Sequence, residues 1–188
     1  TINVSQITAT SAQSGGMITD DGGTSVLSRG IVWNTSGMPD IENQSGITVD
    51  GVGAGDFYSS ISGLSSGTGY FVRAYASNEY GHFYGNQIQF STMPADGTVG
   101  TLTDIDGNVY RTVYIGGREW MAENLSTTRY RNGLSIDYPG NNNLIWENNL
   151  AGAYAWYNND IVNKDIYGGL YNWFAVNNSN RLCPQGWH

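Results

Sequence analysis

The chain has 188 residues, with 8 Lys or Arg against 16 Asp or Glu, for a formal charge of −8. That length allows two small domains, each with a modest core, and so few basic side chains leave no electrostatic footprint for nucleic acid or anionic lipid. Only 13% of residues are charged and 13% are aromatic, while Gly, Ser, Thr and Asn abound, a mixture poor in helix formers and rich in turn and strand formers. Residues 1–100 carry two basic and eight acidic side chains, and neither half has a run of like charge. This composition is closer to secreted β-proteins than to cytosolic enzymes. Cys183 is the single cysteine, which excludes an internal disulfide and a cysteine metal cluster. No apolar stretch approaches the ~20 residues that span a bilayer. The start at Thr1 reads as a processed or trimmed chain, so export is an inference from composition.

In chain order, Ser11–Ile18 and Ser25–Trp33 read as strands flanking the turn cluster Asp20-Asp21-Gly22-Gly23. Asp56–Ile61 alternates Phe57, Ser59 and Ile61 against Tyr58 and Ser60, the period of a half-buried strand. Tyr70–Ala76 and Asn86–Thr92 follow in the same style. About seven strands, with turns every eight to twelve residues, is the pattern of a β-sandwich.

Leu64-Ser65-Ser66-Gly67-Thr68-Gly69-Tyr70, followed by an alternating strand that ends at Asn78, resembles the fibronectin type III signature. The resemblance implies a tyrosine corner, with the Tyr70 ring in the core and its hydroxyl returning to backbone. It places Tyr70, Val72 and Ala74 inward, and Phe71, Arg73 and Tyr75 outward. Arg29–Trp33 and the closing hairpin Gly81–Phe90 fit tandem modules of Bacteroidetes surface proteins. There is no Arg-Gly-Asp tripeptide, and the module is expected to act as a spacer. Its one histidine, His82, is read as an exposed turn residue with no serine, cysteine or metal partner.

Residues 94–100, opening on Pro94-Ala95-Asp96-Gly97, read as a short linker between a first domain over 1–93 and a second over 101–188. The second domain begins as two hairpins, turning at Asp106-Gly107-Asn108 and at Gly116-Gly117. Aromatic blocks follow: Trp120-Met121-Ala122-Glu123-Asn124-Leu125, then Tyr154 to Asp160, Tyr167 to Val176, and Cys183-Pro184-Gln185-Gly186-Trp187-His188. These blocks, in this order, resemble the Fibrobacter succinogenes major paralogous domain, a family of exported proteins and lipoproteins with no catalytic activity attached to it. The last block also resembles the formylglycine-generating branch of the C-type lectin-like fold, which implies a β-rich α+β domain. Members often carry a cysteine where this chain has Ala155, so Cys183 is expected to be a free, buried thiol. The family pattern runs on past Trp-His, so the domain is expected to be incomplete, with a sheet edge open to another chain. The fold class is therefore mainly β: an N-terminal fibronectin-III or Ig-like sandwich and a β-rich, lectin-like second domain.

Candidate chemistry is sparse. Asp104, Asp106 and Asn108 imitate the start of a calcium loop, but the position for a bidentate Glu falls at Ile115, so a hairpin turn is the better reading. Asn158, Asp160 and Asp165 supply hard oxygens for calcium, with Lys164 between them arguing against it. Five of six Trp and eight of thirteen Tyr lie beyond residue 100. Trp120, Trp156, Trp173 and Trp187 are expected in the core, leaving Trp146 and Tyr157 as candidate sugar-stacking residues. Glu119 and Glu123 are assigned surface or hydrogen-bonding roles rather than acid–base chemistry. The expected protein is a non-enzymatic one at the outer surface of a bacterium, binding an extracellular glycan or surface protein. The alternative is a structural subunit of an extracellular filament or surface layer, with copies of itself as partners.

Overall fold

The structure, a computed structural model, describes all 188 residues and is mainly β. The chain divides into two compact units, Thr1–Asp96 and Gly97–His188.

The first unit contains β1 (Ser11–Ile18), β2 (Ser28–Asn34), β3 (Gly46–Ile47), β4 (Gly55–Ser62), β5 (Gly69–Asn78), β6 (Gly81–Tyr84) and β7 (Ile88–Ser91). β1 pairs antiparallel with β4 from Ser11↔Ser62 to Ile18↔Gly55, and Ser5 bridges Gln13 on the other edge of β1. The second sheet runs β3-β2-β5-β6, with β7 pairing the start of β5. A two-sheet division with these crossovers is that of a fibronectin type III sandwich. Ala12, Phe57 and Ile61 from one sheet meet Ile31, Trp33, Val72 and Phe90 from the other in a single core cluster. Gly16 leaves room for the facing sheet, since a Cβ there would fall 2.8 Å from Ala74 Cβ of β5, as well as 2.9 Å from the ring of its paired neighbour Phe57.

The tyrosine corner is present: the Tyr70 ring is buried and its hydroxyl accepts from the Ser65 amide at 2.9 Å. Tyr70, Val72 and Ala74 point inward, but Tyr75, expected to face water, is buried. It lies on the outer face of β5, where the segment after β3 folds over it, and its hydroxyl donates to the Thr48 carbonyl at 2.8 Å. Alternation correctly assigns its face; only tertiary cover buries it. The Asp20–Gly23 turn is closed by Asp20 and Asp21 carboxylates accepting from the amides of Gly22 and Gly23 at 2.8 and 2.9 Å.

The second unit opens with a meander of β8 (Val99–Thr103), β9 (Val109–Ile115) and β10 (Arg118–Met121), with β9 in the centre. Short elements follow: α1 (Asn143–Asn148), β11 (Tyr154–Ala155), α2 (Lys164–Tyr167), β12 (Leu170–Tyr171) and α3 (Trp173–Val176), with β11 and β12 paired. Their core gathers Tyr130, Ile136, Tyr154, Trp156, Ala175 and Leu182. Arg131 holds the last segment down, its guanidinium donating to the carbonyls of Cys183, Pro184 and Trp187.

Of the four tryptophans expected in this core, only Trp156 lies in it. Trp156 is 4% exposed, but Trp120 is 53% and Trp173 68% exposed, while Trp187 is half-buried. Trp120 sits on an edge strand, with its indole N–H returned to the Ile115 carbonyl at 3.3 Å. Trp173 opens a four-residue helix whose inward position is taken by Ala175, which is fully buried. Cys183 is free, as expected, but half-buried rather than buried.

Candidate functional site

The first turn of the second unit builds a polar floor. Asp104, buried, accepts from the amides of Asp106 and Asn108 at 2.9 Å each through Oδ1. Its Oδ2 takes the Asn108 side-chain amide at 2.8 Å and the Tyr110 hydroxyl at 2.5 Å. Tyr110 in turn accepts from the Ser126 amide at 3.0 Å. Burial, together with the hydrogen bond to Asp104, pushes the Tyr110 phenol up to about 12. Asp106 points the other way. Its Oδ2 accepts from Thr128 N at 2.5 Å and from the hydroxyls of Thr127 and Thr128 at 3.0 Å each, with Arg129 at 3.4 Å from Oδ1. Partial burial opposes its ionised form, yet these donors outweigh it and hold the carboxyl below the usual range. The lone pairs that a calcium loop would aim at the ion are thus taken by protein donors, and the Asp-x-Asp-x-Asn spacing serves as a hairpin turn.

Above this floor lies a cavity of about 480 Å³, walled by Asn108–Tyr110, the segment 122–126, Lys164–Ile166 and Gly168. Ala122 N donates to Arg111 O at 2.8 Å, extending the sheet pairing into that wall. Glu123 then receives Arg111 twice, from backbone N and from Nε, both at 2.7 Å, which lowers its pKa. On the opposite side Lys164 Nζ donates to Asn108 Oδ1 at 2.6 Å. Gly168 lets α2 end against the 122–126 wall: its φ is +67°, and a Cβ there would lie 2.6 Å from Asn124 Cβ and 2.7 Å from Leu125 O. Gly169 N completes the junction by donating to Leu125 O at 2.7 Å. The Asn124 carboxamide and the Asp165 carboxylate line the cavity with no protein hydrogen-bond partner. The lining is therefore rich in donors and acceptors available to a hydroxylated molecule.

Of the residues singled out from sequence, Asn108, Glu123 and Asp165 reach this cavity, and of those named for calcium or sugar only Asp165 does. Trp146, on α1, is half-buried with its indole N–H donating to Gly140 O at 2.9 Å. Tyr157 is 46% exposed and packs against Tyr167, ring centroids 4.7 Å apart. Asn158 adopts a left-handed conformation at φ 53°, and Asp160 caps a short 3₁₀ turn by accepting from Val162 N at 3.1 Å. No three His, Cys, Asp or Glu side chains come together as a metal-binding group. Sequence reasoning assigns no binding role to Asn124, Ser126 or Lys164; the signal available is Asn124 and Ser126 at the end of a block of aromatic and acidic residues.

His82 needs a correction. It was expected to lack a serine partner, yet its Nδ1 lies 2.7 Å from Ser77 Oγ, because the two residues are directly opposed on β5 and β6. The pair is exposed, and no carboxylate orients the ring, so it lacks the third member that activates a serine nucleophile.

Residues 113–188, all within the second unit, match the family model of the Fibrobacter succinogenes major domain. No curated protein matches the chain. Among solved structures, the sensor domain of the anti-sigma factor RsgI4 of Pseudobacteroides cellulosolvens is similar in two determinations. One is 24% identical over 50% of this chain and 92% of that one, with a TM-score of 0.38. The other is 22% identical over 49% and 71%, with a TM-score of 0.36. A fibronectin type III domain from the human KIAA0970 protein is 12% identical over 50% of this chain and 72% of its own, with a TM-score of 0.34.

Proposed function

We propose that this chain belongs to an exported bacterial surface protein that binds an extracellular glycan without turning it over, the sandwich serving as spacer and the second unit as binding module. The observation that carries this reading is the polar cavity beside α2, in which Asn124 and Asp165 have no protein partner. An amide and a carboxylate lining one cavity can donate to and accept from sugar hydroxyls. Tyr167 at the end of the same helix packs against Tyr157 of a preceding 3₁₀ turn, and this exposed pair offers aromatic faces for the C–H side of a pyranose ring. A neutral ligand suits the chain best: Glu123 is engaged by Arg111, Lys164 by Asn108, and the chain's charge of −8 disfavours anionic sugars.

The test is a glycan array, with and without calcium, probed by the intact chain and by its Asn124→Ala and Asp165→Ala variants. Binding of a neutral glycan that falls at least tenfold in both variants is expected. Absence of any signal above background, or a signal that both variants keep, refutes the assignment.

A further inference from the structure

The chain cannot form an internal disulfide, because Cys183 is its single cysteine. A different pair of side chains joins distant segments through chemistry that can become covalent. The contact between Lys164 Nζ and Asn108 Oδ1, at 2.6 Å, links residues 56 apart in sequence. The other arm of the same carboxamide, Nδ2, rests on Asp104 Oδ2 at 2.8 Å, and that oxygen also holds the Tyr110 hydroxyl at 2.5 Å. Asp104 and Tyr110 are buried, whereas Asn108 and Lys164 are half-buried at the cavity wall. An amine thus reaches the carboxamide from the cavity side, and an interior carboxylate holds its nitrogen from below.

We propose that Lys164 and Asn108 are a cross-linking pair that forms an intramolecular isopeptide bond, with Asp104 serving the departing nitrogen. Lys164 first releases a proton to cavity water, and the Nζ lone pair adds to Asn108 Cγ, moving charge onto Oδ1. The Cγ–Nδ2 bond then breaks. Nδ2 leaves as ammonia, taking the proton that Nζ gives up, by way of Asp104 Oδ2. An amine and a primary carboxamide become a secondary amide and ammonia, with no change of oxidation state and no further reactant.

The geometry meets three demands of that step. The nucleophile must lie near the carbon, and Oδ1 is one carbonyl bond, about 1.2 Å, from Cγ. The leaving nitrogen must meet a group able to carry a proton, and Asp104 is bonded to it. Both partners must sit on fixed elements: the Asn108 amide is held by Asp104 Oδ1 at 2.9 Å, and Lys164 opens α2, whose other end is set by Gly168. The in-plane contact with Oδ1 is the resting arrangement, and attack needs Nζ to swing out of the carboxamide plane, toward the open side of the cavity.

Intact mass spectrometry of the full chain, held in mildly alkaline buffer so that more of the amine is unprotonated, tests this directly. The mass should fall below the sequence mass by one ammonia, and digestion should yield a branched peptide joining the Asn108 and Lys164 segments. Lys164→Arg and Asn108→Ala, shown folded by circular dichroism, should keep the full mass. Asn132-Gly133 could also lose ammonia, by closing to a succinimide, but that deficit would survive both substitutions and give no branched peptide. A full sequence mass in the unsubstituted chain, or a deficit there without the Asn108–Lys164 branched peptide, overturns the proposal. Should either variant fail to fold, the branched peptide of the unsubstituted chain decides by its presence or absence.

Discussion

Cys183 is a built-in reporter for the role of Arg131. The guanidinium makes its contacts with carbonyl oxygens alone: Nε to Cys183 O at 3.0 Å, and Nη2 to Cys183 O at 2.8 Å, Pro184 O at 2.7 Å and Trp187 O at 3.2 Å. Replacing Arg131 with Met keeps much of the aliphatic stem and removes every donor. One nitrogen serves three acceptors, so these contacts act as one or two charge-assisted hydrogen bonds rather than four. Such bonds contribute roughly 1.5–3 kcal/mol in sum at a partly exposed site. If the segment must open before a bulky thiol reagent reaches the half-buried Cys183, each 1.4 kcal/mol of lost closure is about tenfold in open population. Arg131→Met should therefore raise the rate of Cys183 labelling by about tenfold or more. Arg131→Lys, which keeps the charge but not the fork, should fall between the two. The assay is pseudo-first-order labelling by an aromatic disulfide reagent, with far-UV circular dichroism to confirm the fold. Equal rates in Arg131→Met and the unsubstituted chain, both folded, would show that Arg131 does not close this segment.

Tyr70→Phe removes the corner hydroxyl while keeping the buried ring, and leaves the Ser65 amide without its partner. Because Ser65 is exposed and water can replace part of the bond, the cost is about 1 kcal/mol, which for a unit of this size lowers the melting temperature by roughly 4–8 °C in calorimetry; an unchanged melt refutes a stabilising corner. Asp106 gives a pH dependence with a definite sign. Its folded pKa lies below the unfolded value, so its contribution is fully present above the ordinary carboxylate range of about 4 and fades as pH falls through the folded value. Urea unfolding of the second unit should weaken with acid below about pH 4, and Asp106→Asn should flatten that acid dependence; a variant with the same acid slope sinks the assignment.

The first unit is legible in sequence because its signals are local. Strand alternation at Phe57, Ser59 and Ile61, paired acidic residues ahead of glycines, and the Thr68-Gly69-Tyr70 corner each report on neighbours a few residues away. Tyr75 escapes the pattern because a segment more than twenty residues distant covers it. The second unit offers weaker local signals. Its α-helices run four to six residues, too short for a periodic apolar face, so aromatic content alone could not separate Trp156, in the core, from Trp173, outside it. The cavity is assembled from segments around residues 108, 124 and 165, and no spacing in the sequence announces their meeting.

The oxygen-rich segments show the same limit from the side of chemistry. Asp104-x-Asp106-x-Asn108 and Asn158-Asn159-Asp160 look alike as cation-loop material, yet composition cannot say whether a lone pair is already taken. At Asp104 both carboxylate oxygens are occupied by main-chain and side-chain donors of its own hairpin, and at Asp106 donors from residues 127–129 fill the same role. A carboxylate saturated by protein donors and partly withdrawn from water gains little from a divalent ion, which must shed its own hydration to replace them. Asp165 differs from these in being adjacent to a cavity and unpartnered. What distinguishes a site residue from a turn residue in this unit is therefore unspent hydrogen-bonding capacity facing a space large enough to use it.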